Sequence, residues 1–317
     1  MPTQNTKNSE FITNAIANLA TITVTFNPSM EELQTQLSSL PPSSTKILVD
    51  NASPLDKYEK ITILCSQFQN AHVIRNETNQ GLAAAINHGV SQAIKLTPDL
   101  KFILLLDQDS EPHPGSIEIL LAAFFKLQAM GVRVGCVGPS LVDSKTGLSH
   151  GFHKISHGRW TRAYPPTNVT TPVPCDNING SGTLMPATLF LQLGGLDSAL
   201  FIDHVDTEWS FRVIAHGYSL WGIPDSVFDH SMGQASVRFW FFGWRVWPVR
   251  SPQRHYYLYR NATILLKRGY IPLVWKFWAL VKLFLTSVVM AVTGPNRRKQ
   301  IINMSRGILA GLNKDAT

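Results

Sequence analysis

One repeating pattern constrains this chain more than any other feature. A short apolar run ends in Asn or Asp, a helix-patterned segment follows, and the pattern begins again. Ala20–Phe26 alternates like a half-buried strand and stops at Asn27-Pro28. Lys46–Val49 stops at Asp50-Asn51, Ala71–Ile74 runs into Asn76–Asn79, and Lys101–Leu106 stops at Asp107-Gln108-Asp109. Helical patterns over Ser29–Leu40, Leu55–Gln69 and Gly81–Leu96 separate these runs. Ser29 with Glu32 makes a capping box at the first of them. A further helix, Ser116–Met130, and a strand, Val132–Val137, continue the series. Strands spaced by single helices predict an α/β chain: a Rossmann-like, mainly parallel sheet flanked by helices. Such sheets bind ligands beyond the carboxyl ends of their strands, where these four polar ends fall. About residues 19–140 therefore read as a nucleotide-binding half.

Beyond Leu141 the periodicity fades, and turns and histidines dominate up to Pro174. Order returns at Asn179–Thr183, in a helix over Pro186–Leu193, and in the acidic run Asp203–Arg212. Residues 1–18 read as a polar lead-in, 19–233 as the main domain with an acceptor half from about 141, and 234–317 as a basic, aromatic and helical extension. Charge supports that last division. Residues 1–230 carry 14 Lys and Arg against 20 Asp and Glu, whereas residues 231–317 carry 14 against one. Cys65, Cys136 and Cys175 are scattered and form no C-x-x-C, which fits a reducing cytosol. The polar N-terminus has no signal-peptide pattern, so triplets such as Asn51-Ala52-Ser53 read as chance. Ile271–Val292 approaches membrane-span length, but Pro272, Lys276 and Lys282 interrupt it, leaving an apolar part too short to span by itself.

Asp107-Gln108-Asp109 directly follows an apolar strand, and two carboxylates so placed can hold Mn²⁺ or Mg²⁺ against a diphosphate. Asn76–Gly89 is a glycine turn opening a small-residue helix. Its small side chains suit either phosphate at the helix N-terminus or close packing on the sheet. Asp203, Asp206 and Glu208 offer three candidate bases in six residues. Asp206 would sit at a positive helix N-terminus, which favours its ionised form. His150, His153 and His157 lie in a Gly-rich stretch without a cysteine partner and read as a mobile acceptor-side loop rather than a zinc site.

These residues carry a resemblance. Val24–Asn27, Val49–Ser53, Asn79-x-Gly81-x-Ala83, Asp107-x-Asp109, Gly194–Asp197 and above all Leu200–Arg212 resemble family 2 glycosyltransferases of the GT-A fold, and within them the bacterial rhamnosyltransferases. His230-x-x-Gly233, Tyr256-Tyr257-x-x-Arg260-Asn261 and Gly307–Gly311 extend the likeness, in order, over roughly residues 20–312. The resemblance implies a metal-dependent, inverting transferase moving L-rhamnose from dTDP-L-rhamnose to a cell-surface polysaccharide or lipid-linked glycan. It implies Asp206 as base, Asp109 with His230 on the metal, and Asp107 against the nucleotide sugar. Asp50 would recognise base and ribose, with Asn27, Asn79 and Gly81 nearby.

The C-terminal quarter interleaves Arg238, Arg245, Arg250, Arg254 and Arg260 with Trp240, Trp244, Trp247, Tyr256, Tyr257 and Tyr259. No nucleic-acid fold signature accompanies them, so a diphosphate, met by Arg254 and Arg260, or anionic lipid fits better than nucleic acid. The apolar helix followed by Arg297-Arg298-Lys299 suggests peripheral attachment to the inner face of the cell membrane, with a homo-oligomer contact as the other use of that face. Other readings stay open: a UDP-hexose or UDP-galactofuranose donor, or a non-catalytic nucleotide- or lipid-binding relative. A dinucleotide oxidoreductase is excluded, because Phe26-Asn27-Pro28 stands where G-x-G-x-x-G belongs.

Overall fold

The computed structural model describes residues 4–144, 146–166, 169–230, 236–240 and 244–314. Gly233 lies outside them, as do the side chains of Arg238, Trp240, Trp244, Arg245 and Trp247. The first half runs α1 (Gln4–Ala17), β1 (Leu19–Thr25), α2 (Met30–Ser39), β2 (Thr45–Asp50), α3 (Leu55–Cys65), β3 (Ala71–Arg75), α4 (Leu82–Leu96), β4 (Phe102–Asp107), β5 (Ser110–Pro112) and α5 (Ser116–Ala129). The second half holds β6 (Val134–Asp143), β7 (Phe152–Ser156), β8 (Arg159–Ala163), β9 (Val173–Cys175), β10 (Leu184–Pro186), α6 (Ala187–Gln192), α7 (Val205–Ala215) and β11 (Ser219–His230). A hairpin, β12 (Ser236–Trp240) and β13 (Trp244–Pro248), leads to α8 (Pro252–Lys267), α9 (Leu273–Val292) and α10 (Arg297–Leu312).

The main sheet has the order β3-β2-β1-β4-β10-β6-β11-β5, with β9 also on β11. Strands β3, β2, β1 and β4 are parallel neighbours; β10 runs antiparallel between β4 and β6, and β5 antiparallel on β11. Apolar residues occupy consecutive positions because both faces are covered. Ile47 and Val49 enter the core under α4, while Leu48 between them enters the core under α2, α3 and α5. Ile103 and Leu105 alternate with Phe102, Leu104 and Leu106 in the same way. Parallel pairing puts the carboxyl ends of β3, β2, β1 and β4 on one edge, so Thr25, Asp50 and Asp107 end side by side through paired registers.

Three expectations change. The polar lead-in is helical, with Ala15 and Ile16 buried against α5 and the sheet. The weakly periodic stretch after Leu141 holds the end of β6, the β7–β8 hairpin and β9. His153 is part of that hairpin, stacked on Trp160 at 5.3 Å between ring centroids. Finally, the N-terminus of α4 is closed rather than open to phosphate. Gly81 has φ +84°, and a Cβ there would lie 2.5 Å from the Phe201 ring, while Leu82 N–H donates to the Phe201 carbonyl. The small residues of this turn thus serve close packing.

The C-terminal helices pack on the main domain. Gly307 and Gly311 of α10 lie so close to α8 that a Cβ would come within 2.4 Å of the Tyr256 carbonyl and 2.6 Å of that of Arg260. Helix α9 is long and apolar enough to cross a membrane, and only 17% of its most apolar window is buried inside the protein.

Candidate active site

Antiparallel pairing explains how distant residues meet. His230 ends β11 and stands opposite Ser110 of β5, which directly follows Asp109. His230 Nδ1 therefore lies 3.2 Å from Asp109 Oδ1, and Nε2 lies 3.8 Å from Asp107 Oδ2. Donor atoms of Asp107, Asp109 and His230 all fall within 4.8 Å of one another. Nδ1 is buried and, despite Asp109, makes no well-aligned hydrogen bond. Two carboxylates and an orphaned imidazole nitrogen form a donor set that fits a divalent cation. Burial, with Asp109 adding to it, pushes the Asp107 pKa up against the opposing charges of His230 and Arg254. His230 is raised: burial opposes this, but the Asp109 hydrogen-bond contact and the two acids prevail.

A residue without a role in the sequence reading fixes this turn. Gln36 of α2 is fully buried and donates to the backbone carbonyls of Asp107 (2.6 Å) and Ser110 (2.8 Å), while accepting from Thr23 Oγ1. Its signal was a polar residue on the inward helix face shared by Leu33 and Leu37.

The three candidate bases have separate environments. Glu208 is 1% exposed and pairs with Arg212 at 2.8 Å and Arg268 at 3.3 Å, with Tyr270 donating to it as well. Asp203 is held by Arg250 and Arg254. Asp206 has no cationic partner among the described residues; its carboxylate accepts only from Thr207, the N–H at 2.8 Å and the hydroxyl at 3.4 Å. The helix N-terminus favours its ionised form, as expected, but does not outweigh burial. Crowding by protein pushes its pKa up to about 6, with Asp107 and Asp203 adding to the rise against the Thr207 N–H.

The segment before Asp206 is strained, with φ positive at Phe201, Asp203 and His204. Helix α8 clamps it. Asn261, fully buried, donates from Nδ2 to the carbonyls of Leu200 (2.7 Å), Ile202 (2.6 Å) and Asp203 (2.9 Å). Arg260, expected at a diphosphate, instead donates to the carbonyls of Ala199 and Leu200 and stacks over Tyr257. Arg254 remains within electrostatic reach of Asp107. Asn261→Ala would leave three carbonyls without this donor, so a loss of about 2–4 kcal/mol of stability is expected. Denaturant unfolding measures it, and kcat should fall in parallel as the loop relaxes.

At the opposite side of the cleft, Asp50 is fully buried and accepts from Thr25 Oγ1 and Ser53 N–H, so it supports the strand-end turn from within. Asn27 is exposed beside it, its N–H donating to Ser53 Oγ. Asn51 donates to Asn79 Oδ1 at 3.0 Å and accepts from Asn76 and from Gln80 N–H, which fixes the turn from Asn76 to Gly81. A hollow of about 460 Å³ lies elsewhere, near Phe11, Lys101, Arg133 and Tyr218, and holds none of these groups.

With this geometry in place, a model of the family described as Glycosyl transferase family 2 matches residues 30–179, which carry Asp50, Asn79 and the Asp107–Asp109 turn. Over that segment the chain is similar to family 2 glycosyltransferases. It is 27% identical over 297 residues, 93% of this chain and 95% of the relative, to the dTDP-rhamnosyl transferase RfbF of Shigella flexneri. A second relative, the N-acetylglucosaminyl-diphospho-decaprenol L-rhamnosyltransferase of Mycobacterium tuberculosis, is 22% identical over 241 residues, covering 69% of this chain and 78% of that one. Among solved structures, the Pyrobaculum calidifontis mannosyltransferase PcManGT, in complex with GDP-Man and Mn²⁺, aligns with a TM-score of 0.52 at 15% identity, over 96% of this chain and 94% of that chain. The chain therefore has the GT-A architecture that its motifs implied.

Proposed function

We propose that this chain is a metal-dependent, inverting glycosyltransferase, and that it passes L-rhamnose from dTDP-L-rhamnose to a glycan carried on a lipid diphosphate. The observation that carries this reading is Asp206, the one of three clustered carboxylates that no cation among the described residues pairs with, within electrostatic reach of Asp107 in the Asp107–Asp109–His230 group. The two relatives named for rhamnosyl transfer support the donor, and the diphospho-decaprenol in one name supports the acceptor. Held by Asp107, Asp109 and His230, Mn²⁺ or Mg²⁺ would supply the positive charge that stabilises a departing diphosphate.

The chain's own residues do the rest. Asp206 takes the proton of the acceptor hydroxyl as its oxygen attacks the anomeric carbon opposite the leaving group. Asn261 and Arg260 keep the Phe201–His204 loop, and hence Asp206, in position. Asn27 and the turn fixed by Asn51, Asn76 and Asn79 line the nucleotide end, with Asp50 bracing it from below. Outside the cleft, Phe277, Leu280 and Phe284 stand 59%, 52% and 68% exposed on α9, and α10, which follows it, begins with Arg297-Arg298-Lys299. That pairing of apolar face and positive charge fits attachment to an anionic membrane surface on the cytoplasmic side.

A donor screen with Mn²⁺, measuring release of nucleoside diphosphate, tests the reading. Turnover with dTDP-L-rhamnose and a larger rise in melting temperature with dTDP than with UDP are expected. The reverse order would assign the site to a UDP donor.

A further inference from the structure

One group of charges has no task in the mechanism above. Arg250 pairs with Asp203, and Arg254 approaches the same carboxylate at 3.3 Å. Two more cations converge on this corner from other elements. Arg162 of β8 is exposed, its Nε donating to His153 Nε2 at 3.1 Å. Lys282 reaches it from α9, whose rotation is fixed by two tryptophans. Trp275 is buried and meets His204 edge-on at 5.4 Å between centroids, and Trp278 Nε1 donates to the Gly158 carbonyl in the β7–β8 turn at 3.2 Å. Lys282 follows Trp275 and Trp278 by two turns and one turn, so it lies along the same side of the helix but is exposed there, whereas Thr286 and Met290 further along are buried.

Lys282 is itself exposed, a charge at the solvent edge of that stripe. The protein crowded around it, then Arg250 and Arg162, lower its pKa, and only Asp203 acts the other way. Its Nζ finds no hydrogen bond or ion pair among the described residues. Two guanidinium groups thus share the Asp203 carboxylate, and Lys282 stands within electrostatic reach of Arg250, Arg162 and Asp203, a surplus of positive charge that an incoming anion would relieve. The corner adjoins the reaction centre on one side, since Arg254 is within electrostatic reach of Asp107 and Asp203 within reach of Asp206. On the other side the exposed apolar face of α9 begins.

We propose that Arg162, Arg250, Arg254 and Lys282 form a second anion site, separate from the metal cluster, which takes the diphosphate of a lipid-linked acceptor while its hydrocarbon chain lies along α9. The assignment rests on the acceptor class proposed above. A donor diphosphate suits a cation held by acids, whereas an acceptor diphosphate that is not cleaved suits guanidinium and ammonium groups alone.

Calorimetric binding of farnesyl diphosphate, farnesol and inorganic pyrophosphate to the full chain tests this, in EDTA so that the acidic cluster holds no cation. Farnesyl diphosphate is expected to bind roughly tenfold or more tightly than either of the others, since it alone offers both the charge and the apolar chain. Lys282→Gln combined with Arg162→Gln should weaken it by roughly tenfold or more, while Lys276→Gln, six residues earlier and on another side of the same helix, should not. A melting temperature unchanged by the double substitution, and still raised by dTDP, shows that the variant is folded. Equal binding by wild type and the double variant would overturn the site. Pyrophosphate binding as tightly as farnesyl diphosphate would overturn the lipid assignment. Because no sugar is transferred, an error in the donor would appear in nucleotide release and leave this measurement untouched.

Discussion

Replacing Asp206 by asparagine is expected to cut kcat by about 10²–10⁴-fold with little change in donor KM, the range a positioned general base contributes. The amide keeps the size of the carboxylate and can still accept from the Thr207 N–H, but it cannot take the acceptor proton. A pH profile separates this role from a purely structural one. With a pKa of about 6, wild-type activity should rise with pH through that value, because the ionised form is the base. The residual activity of the variant should lack that limb. Stability should move the other way. The folded-state pKa lies above the unfolded value of about 3.9, so between these values the folded state binds more protons, and Asp206 costs stability as pH rises through the window. Asp206→Asn is therefore expected to raise stability at pH 7 by on the order of 2 kcal/mol even as turnover falls. A helix cap would behave in the opposite sense, losing stability on substitution.

How far the sequence foretells this site depends on whether a residue acts through its neighbours in the chain. Strand ends do: the apolar run into Asp107 and the period of the flanking helices locate the acidic turn without any structure. His230 was reachable through the family pattern, but its meeting with Asp109 depends on the β5–β11 register, which local sequence does not encode. The choice among Asp203, Asp206 and Glu208 turned on partners 47 to 62 residues away, Arg250 and Arg254 for the first and Arg268 and Tyr270 for the last. Asp50 illustrates the converse. Its type and place suit a ribose contact, yet burial turns the carboxylate inward onto Thr25 and Ser53. Gln36 and Asn261 were visible only as polar letters on apolar faces, a sign that something inside needs a partner but not which carbonyl.

Removing divalent metal is the second change with a large expected effect. Chelation should lower transfer by about 10²–10³-fold, the scale on which charge stabilisation of a leaving group operates, and Mn²⁺ or Mg²⁺ should restore it. Asp109→Ala should reproduce the loss, with restoration needing far more metal, because it removes the carboxylate nearest His230. His230→Ala leaves both acids and should retain part of the response. At this cluster protons would compete with a bound cation. His230 is raised by the two acids beside it, so as pH falls the imidazole takes a proton and stabilises the acids in the cation's place. Metal must displace that proton, and the apparent metal affinity, read from activity against metal concentration, should weaken steadily as pH is lowered. In His230→Ala that part of the pH dependence should vanish. An enzyme equally active in chelator at every pH would remove the cluster from catalysis and leave Arg254 as the cation within reach of Asp107 to face the diphosphate.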